Sequence, residues 1–304
     1  MKILITGATG FIGKVLTEYL LREGHQLILA TRTLPKEQSI GSVKLNFVTW
    51  NPDSDSEIVS EVSGCDAVIN LAGESIASGR WTDEKKAKLL QSRINTTKMI
   101  VRSIGQAANK PKILINASGV GCYGSRGQEE LSDESTSGQG TLAEICRVWE
   151  AHAIKAEDYG VRVIRLRIGM VLGKKGGALD KIVPPFKFFA GGWLGNGNQW
   201  MSWIHVEDVA RLISFCLENK NINGAVNAVS PAPVTNKVFS MVLAQVLKRP
   251  CFFPVPEFAL KLLVGEMAEE LLLASQRALP KKAASLGFTF QFPDIRKALE
   301  SVLK

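Results

Sequence analysis

An α/β fold, with a doubly wound parallel sheet and a smaller, mostly helical C-terminal lobe, is what this 304-residue chain predicts. Three observations carry the prediction. Short β-branched apolar runs alternate with longer stretches of helical periodicity, a glycine-rich turn joins the first run to the first helix, and the texture turns to glycine and proline after Leu166.

The strands are read in order at residues 3–5, 27–30, 45–48, 67–71, 113–115 and 161–166. Between them, residues 11–23, 83–108 and 142–159 place apolar side chains three and four apart, which predicts helices covering both sheet faces. Glycines over 173–177 and 191–197, with Pro184-Pro185, read as a cleft-forming insertion over about 173–203. A helix over 208–218 and a strand over 225–229 return the chain to the sheet. Pro231-Ala232-Pro233 then divides a nucleotide-binding domain, 1–231, from a substrate-side lobe, 232–304, with helices expected near 256–263 and 266–278.

Composition excludes several functions. A hydrophobic content of 45% with 22% charged residues is that of an ordinary soluble globular protein rather than a disordered or fibrous one. The net charge of +8 is scattered over pairs such as Lys85-Lys86, Lys174-Lys175 and Lys281-Lys282, with no basic-aromatic stripe, so no nucleic acid partner is expected. Cys65, Cys122, Cys146, Cys216 and Cys251 form no C-x-x-C pair, which points to a reducing compartment and no metal site. A strand starting at residue 2 leaves no room for a leader, and no apolar run approaches the roughly 18 residues of a membrane span, so a cytoplasmic protein with no membrane partner is expected. The oligomeric state stays open between monomer and homodimer.

Gly7-x-x-Gly10-x-x-Gly13 follows a strand and opens a helix, the position of a Rossmann-type phosphate-binding turn. Gly7 permits the turn, Gly10 lets the backbone approach a pyrophosphate, and Gly13 brings helix and strand together, with Thr9, Phe11 and Ile12 completing the contact. At the end of the second strand, where NAD(H) sites place a carboxylate, stand Thr31 and Arg32. That predicts NADP(H) in preference to NAD(H); the alternative for Arg32 is a solvated surface charge. Residues 66–73, DAVINLAG, form a strand ending in Leu71, Ala72 and Gly73, small enough for a nucleoside to cross. Asn70 is either part of that site or a structural turn former, and Asp66 starts the strand or caps a neighbour.

The segments TGATGFIG, DAVINLAG, NASGVGCYG, RLRIGMVLG and WIHVEDVARLI, in that order, resemble the extended short-chain dehydrogenase/reductases, the sugar-nucleotide epimerase-like superfamily. INLAGE, SRINTT, VWEAHA and LGKKGGAL are similar to its atypical branch, the SDR39U1-like epimerase family. The resemblance implies catalysis by a Ser and a Tyr-x-x-x-Lys pair, the Tyr acting as acid/base. Ser118 matches the Ser, but Leu142 stands at the Tyr place, Cys146 at the Lys place, and Arg93 where Asn is usual. A replacement acid is then sought in Tyr123, Cys146 or a water. Tyr123 and Cys146 each have a packing role as the alternative. Arg93 reads as a contact to a cofactor phosphate or a substrate anion, and Val171 as a further cofactor contact. His205, with Glu207 and Asp208, is read as fixing a strand-to-helix corner, and His25 and His152 as surface residues. Arg80, Lys174, Lys175, Lys187, Trp193, Trp200 and Trp203 are read as cleft-lining.

These readings converge on an NADP(H)-dependent oxidoreductase or epimerase acting on an unknown small molecule, an anionic carbonyl or sugar-nucleotide-like compound. The alternative is a catalytically reduced NADP(H)-binding sensor or protein-interaction module, favoured by Leu142 and Cys146.

Overall fold

Seven parallel strands form the centre of the computed structural model, which describes residues 1–54, 57–174 and 176–304. They are β1 (Lys2–Thr6), β2 (Gln26–Thr31), β3 (Asn46–Thr49), β4 (Ala67–Asn70), β5 (Ile113–Gly119), β6 (Arg162–Ile168) and β7 (Gly224–Ala228). Their spatial order is β7-β6-β5-β4-β1-β2-β3. The order reverses between β1 and β4, and a crevice opens at that point beyond the carboxyl ends of the strands. Register is continuous across the break, with Ile5 opposite both Leu29 and Ile69.

Alternation along each strand feeds two cores, because successive side chains point to opposite faces. Ile3, Ile5, Leu29, Ile69, Ile115 and Ile164 pack on helices α1 (Phe11–Arg22) and, further along the chain, Val206–Glu218. Leu4, Ile28, Val68, Leu114 and Val163 pack on the opposite face, against Met99, Ile100 and Ile104 of α2 (Asp83–Gln106) and Ala153 of α3 (Thr141–Ile154). Thr82 starts α2 by accepting a hydrogen bond from the Lys85 N–H at 3.2 Å, with Asp83 and Glu84 in the first turn complementing the helix dipole.

The insertion expected as loop contains a helix, α4 (Leu179–Lys187), despite Pro184 and Pro185 within it. Its Leu179, Val183 and Phe186 recur three and four apart and are buried, and that burial outweighs the lost backbone bonds. They share a core with Trp203, with Phe239 and Leu243 of α6 (Asn236–Leu247), and with Leu299 and Val302 of α8 (Ile295–Leu303); α5 (Val206–Glu218) and α7 (Glu257–Val264) complete the main helices.

A helix over 266–278 does not form. Only a π-helical turn, Ala268–Leu272, appears, and Arg277–Ala278 is a strand beside Glu130–Leu131. Long-range hydrogen bonds hold this segment extended: Ser275 N donates to Ser125 Oγ at 3.1 Å, Gln276 N to the Trp200 carbonyl at 3.1 Å and Ala278 N to Ser202 Oγ at 2.8 Å. The segment beyond residue 232 also re-enters the first domain. Ala283 and Phe288 join the core under the sheet, and the fully buried Asp208 accepts from Gln291 N at 2.8 Å and Phe292 N at 2.9 Å. Among the described residues, no helix is long and apolar enough to cross a membrane.

Candidate functional site

The turn after β1 is shaped by atoms that leave no space for a side chain. Gly7 has φ +74°, and a Cβ there would lie 2.7 Å from the Leu71 carbonyl carbon and 2.8 Å from the Ala72 nitrogen. A Cβ on Gly13 would collide with the Gly7 carbonyl. Gly10 N donates to that same carbonyl at 3.0 Å, and Gly10 starts α1 with no side-chain cap and no acidic residue in the first turn. The first N–H groups of α1 therefore point, uncapped, at the crevice, where an anion is favoured. Thr9 is exposed at this turn, while Phe11 and Ile12 are half-buried.

Phe11 has a second role that its sequence position does not reveal. Its ring fills the space above Gly173, Gly176 and Gly177, where Cβ atoms would lie 2.5–2.7 Å from the ring carbons. The glycines thus let the loop after Met170–Leu172 close over α1, and they bring the Val171 carbonyl to this side of the turn. Lys174 is exposed there, and Lys175 lies outside the described residues.

The strand ends on either side of the turn differ in chemistry. At the end of β2, Thr31 Oγ1 donates to the Thr33 carbonyl at 2.9 Å, and Arg32 is exposed. Glu74, after β4, is bound by Lys85 Nζ at 2.6 Å, and that contact, with Lys88 and Arg32 nearby, outweighs burial and holds its carboxyl below the usual range. Asn70 proves to be a strap: its Oδ1 accepts from Thr6 Oγ1 at 2.7 Å, and its amide donates to Asn116 Oδ1 at 2.6 Å and Thr97 Oγ1 at 3.1 Å. Trp149 Nε1 joins at Thr97 Oγ1, 2.9 Å. Asp66 braces the far end, accepting from Lys2 N at 2.8 Å.

Ser118, at the end of β5, donates from Oγ to Glu150 Oε1 at 2.8 Å. Glu150 lies one turn beyond Cys146 on α3, and Arg167 of β6 grips it through Nε–Oε1 and Nη2–Oε2 contacts, both 2.9 Å, with Arg165 Nη1 at 3.1 Å. Burial raises the Glu150 pKa, but the bonds from Arg167, Ser118 and the Arg165 charge outweigh it and keep the carboxyl below its ordinary value. Cys146 Sγ lies 3.7 Å from the Gly119 carbonyl, and burial pushes its thiol up, so it is protonated at neutral pH.

Tyr123 is sealed, at 0% exposure, and has no access to the crevice. Its hydroxyl lies 2.6 Å from Asn227 Oδ1 and 2.8 Å from the Ser132 carbonyl and accepts from Arg167 Nη1 at 3.0 Å; burial pushes its pKa up to about 12. Of the two readings of Tyr123, replacement acid or packing residue, its burial and partners match the packing and hydrogen-bonding one. Leu142 packs on Gly121, and α3 starts there with its Thr141 and Leu142 N–H groups bound to the Glu270 carboxylate at 3.1 Å. The Glu150–Arg167 pair was missed from sequence, although a Glu at the i, i+4 spacing 142-146-150 of a buried helix face, with Arg165 and Arg167 in a buried strand, was the available signal.

Of the aromatic residues read as cleft-lining, Trp193 and Trp200 lie beside Thr235 and Lys237, and Trp203 lies in the core. Trp203 is fully buried and donates to the Ala232 carbonyl at 3.0 Å, so it is a core residue of the lobe. Trp193 lies under Lys237 Nζ, 4.7 Å from its ring centroid, and Trp200 donates to Gln128 Oε1 at 2.6 Å. Arg80 lies beside Gly265, and Lys187 is exposed at the end of α4. A cavity of about 520 Å³ takes in Lys174, Tyr19, His205 and Arg211, but neither Ser118 nor Cys146. His205 does fix the corner before α5: its Nδ1 accepts from Glu207 N at 3.2 Å and its ring stacks on Phe292 at 3.8 Å. His25 and His152 are half-buried rather than open surface residues.

This geometry has relatives. The model of the NAD dependent epimerase/dehydratase family matches residues 3–228, and a Domain of unknown function (DUF1731) matches residues 255–302. The chain is 41% identical over 304 residues to the epimerase family protein YfhF of Bacillus subtilis, covering 100% of this chain and 98% of that protein. It is 42% identical to the SDR39U1 homolog, chloroplastic, of Arabidopsis thaliana, covering 100% and 87%. Among solved structures, the human epimerase family protein SDR39U1 (isoform2) with NADPH superposes with a TM-score of 0.89 at 31% identity, covering 99% of each chain. The chain belongs to the NAD dependent epimerase/dehydratase family, in its SDR39U1-like branch.

Proposed function

We propose that this protein is an NADP(H)-dependent oxidoreductase or epimerase acting on a small anionic carbonyl or sugar-nucleotide-like substrate. The observation that carries the reading is the pairing of an uncapped helix N-terminus, cradled by Gly7, Gly10 and Gly13, with Thr31 and Arg32 at the end of β2. The residues present fit a dinucleotide: the turn packs so closely on Leu71, Ala72 and its own backbone that no Cβ fits at Gly7 or Gly13, which leaves bare backbone N–H groups for a pyrophosphate, and the exposed Arg32 is a cation able to meet a 2′-phosphate. The human relative solved with NADPH supports the same cofactor.

In this reading Thr9, Phe11, Ile12, Leu71, Ala72, Gly73 and Val171 line the dinucleotide and Arg32 meets the 2′-phosphate, while Arg93, on α2, is a cation available to an anionic ligand group. The nicotinamide, when bound, supplies or accepts a hydride. The chain's part is to hold the substrate oxygen and its proton. Ser118, oriented by Glu150, positions the oxygen, and the protonated Cys146 thiol is the group beside it able to donate. The second reading, a sensor or interaction module that keeps the cofactor and has lost turnover, is favoured by one observation: no phenol reaches Ser118, since Leu142 holds that place and Tyr123 is sealed.

Calorimetric titration with NADPH, NADH and their oxidised forms tests the cofactor. NADPH should bind about tenfold or more tightly than NADH, and Arg32→Ala should remove most of that difference, since a charge-assisted phosphate contact is lost. Equal weakening of both cofactors by Arg32→Ala would take Arg32 out of the site, and no binding of either would refute the proposal. If NADPH binds, a carbonyl-substrate screen then separates the enzyme from the sensor.

A further inference from the structure

Arg93 of α2 is a buried cation without an anion. It is 9% exposed, and among the described residues it makes no ion pair. Its Nη1 donates to the Leu89 carbonyl at 2.9 Å, and its Cζ sits 4.9 Å above the Trp149 ring. Neither contact neutralises the charge. Burial pulls its pKa down, and Glu74, the carboxylate whose charge it feels, is bound by Lys85. Among the described residues, its other N–H groups donate to no protein atom, and they are not sealed from solvent. A guanidinium taken out of water is costly to hold unless an anion joins it.

The surroundings identify that opening. Gly73, at the end of β4, lies against the guanidinium, and a Cβ there would come 3.3 Å from Cζ. Cys146 is close enough for its charge state to be felt by Arg93. The cradle and Arg32 lie at the ends of β1 and β2, whereas Arg93 touches Gly73 after β4 and Trp149 of α3, the helix that also carries Glu150, the partner of Ser118 at the end of β5. The Trp149 ring, 4.9 Å from Cζ, covers one side of the guanidinium, and a planar fork matches a carboxylate through two parallel hydrogen bonds.

We propose that Arg93 is the receptor for a carboxylate of the substrate, set beside Ser118 and Cys146, so that the substrate is a small oxo or hydroxy acid. The inference rests on the cofactor reading above and selects the substrate, not the cofactor phosphate, as the anion Arg93 meets. Gly73 has no side chain to cover the guanidinium.

Calorimetry separates the two levels. NADPH is titrated first into wild type, Arg93→Met and Arg93→Lys; oxalate and oxamate are then titrated into each protein with and without NADP⁺. Failure of NADPH to bind wild type refutes the cofactor reading alone, because the carboxylate probes still report on Arg93 in the free protein. The proposal expects oxalate to bind wild type, Arg93→Met to weaken it about tenfold or more, Arg93→Lys to retain part of the affinity, and NADPH affinity to stay within about twofold. It also expects the ligand-free Arg93→Met protein to melt no lower than wild type, since the variant removes an unpaired buried charge. Absence of oxalate binding to wild type, loss of NADPH with oxalate spared, or a lower melting temperature in Arg93→Met would each overturn it.

Discussion

Replacing Glu150 by Gln removes the charge that the buried Arg167 and the half-buried Arg165 share while keeping the side-chain volume. Glu150 is 5% exposed and is held by both guanidinium nitrogens of the Arg167 fork at 2.9 Å, by Arg165 at 3.1 Å and by Ser118 at 2.8 Å. Breaking a buried ion pair from one side costs about 3–5 kcal/mol because the remaining charge is stranded. Gln retains one acceptor oxygen, so about 3 kcal/mol is expected for Glu150→Gln, a fall of about 5 °C in melting temperature for a chain of this size. The pH dependence has a defined sign. The folded-state pKa of Glu150 lies below its ordinary value, so its stabilisation is present above that ordinary value and is lost as pH falls through the folded pKa. Thermal unfolding followed by circular dichroism, from about pH 8 down to about pH 3, should show wild type losing its advantage over Glu150→Gln only at the acid end. A variant within about 1 kcal/mol of wild type at neutral pH would show that the Arg167 pair is not sustaining the fold.

Other perturbations probe the remaining parts. Gly13→Ala should abolish NADPH binding in calorimetry and lower the melting temperature, because the added methyl collides with the Gly7 carbonyl; unchanged affinity would mean the turn opens freely. His205 is pushed down to about 4 by burial, so it is neutral in the fold. The unfolded chain protonates first as pH drops below the ordinary imidazole value of about 6.5, and stability is lost from there down to about pH 4, by at most about 3 kcal/mol. His205→Gln should flatten the melting temperature over that window, and an unaltered profile would assign the acid sensitivity elsewhere. Ser118→Ala and Cys146→Ala should each abolish turnover of any carbonyl substrate found while leaving NADPH affinity nearly intact; full activity in both would remove them from the mechanism.

The sequence by itself determined the parallel sheet, the turn after β1 and the absence of a carboxylate at the end of β2. These follow from local rules: alternation, helical spacing and the positions where only glycine fits, all fixed within a few residues of Gly7, Gly13 and Arg32. The helix over 179–187 was hidden by its prolines, and the segment 266–278 was misread because its periodicity is helical while its hydrogen bonds go to Ser125, Trp200 and Ser202, far away in the chain. Only the tertiary structure could decide which polar residues meet. It turned Asn70 into a strap and sealed Tyr123. It also paired Glu150 with Arg167 and left Arg93 without an anion beside Gly73. Burial and partnership depend on elements brought together across the sheet, and so does the chemistry of a charged group, because desolvation and neighbouring charge, not residue type, set its protonation and its need for a ligand.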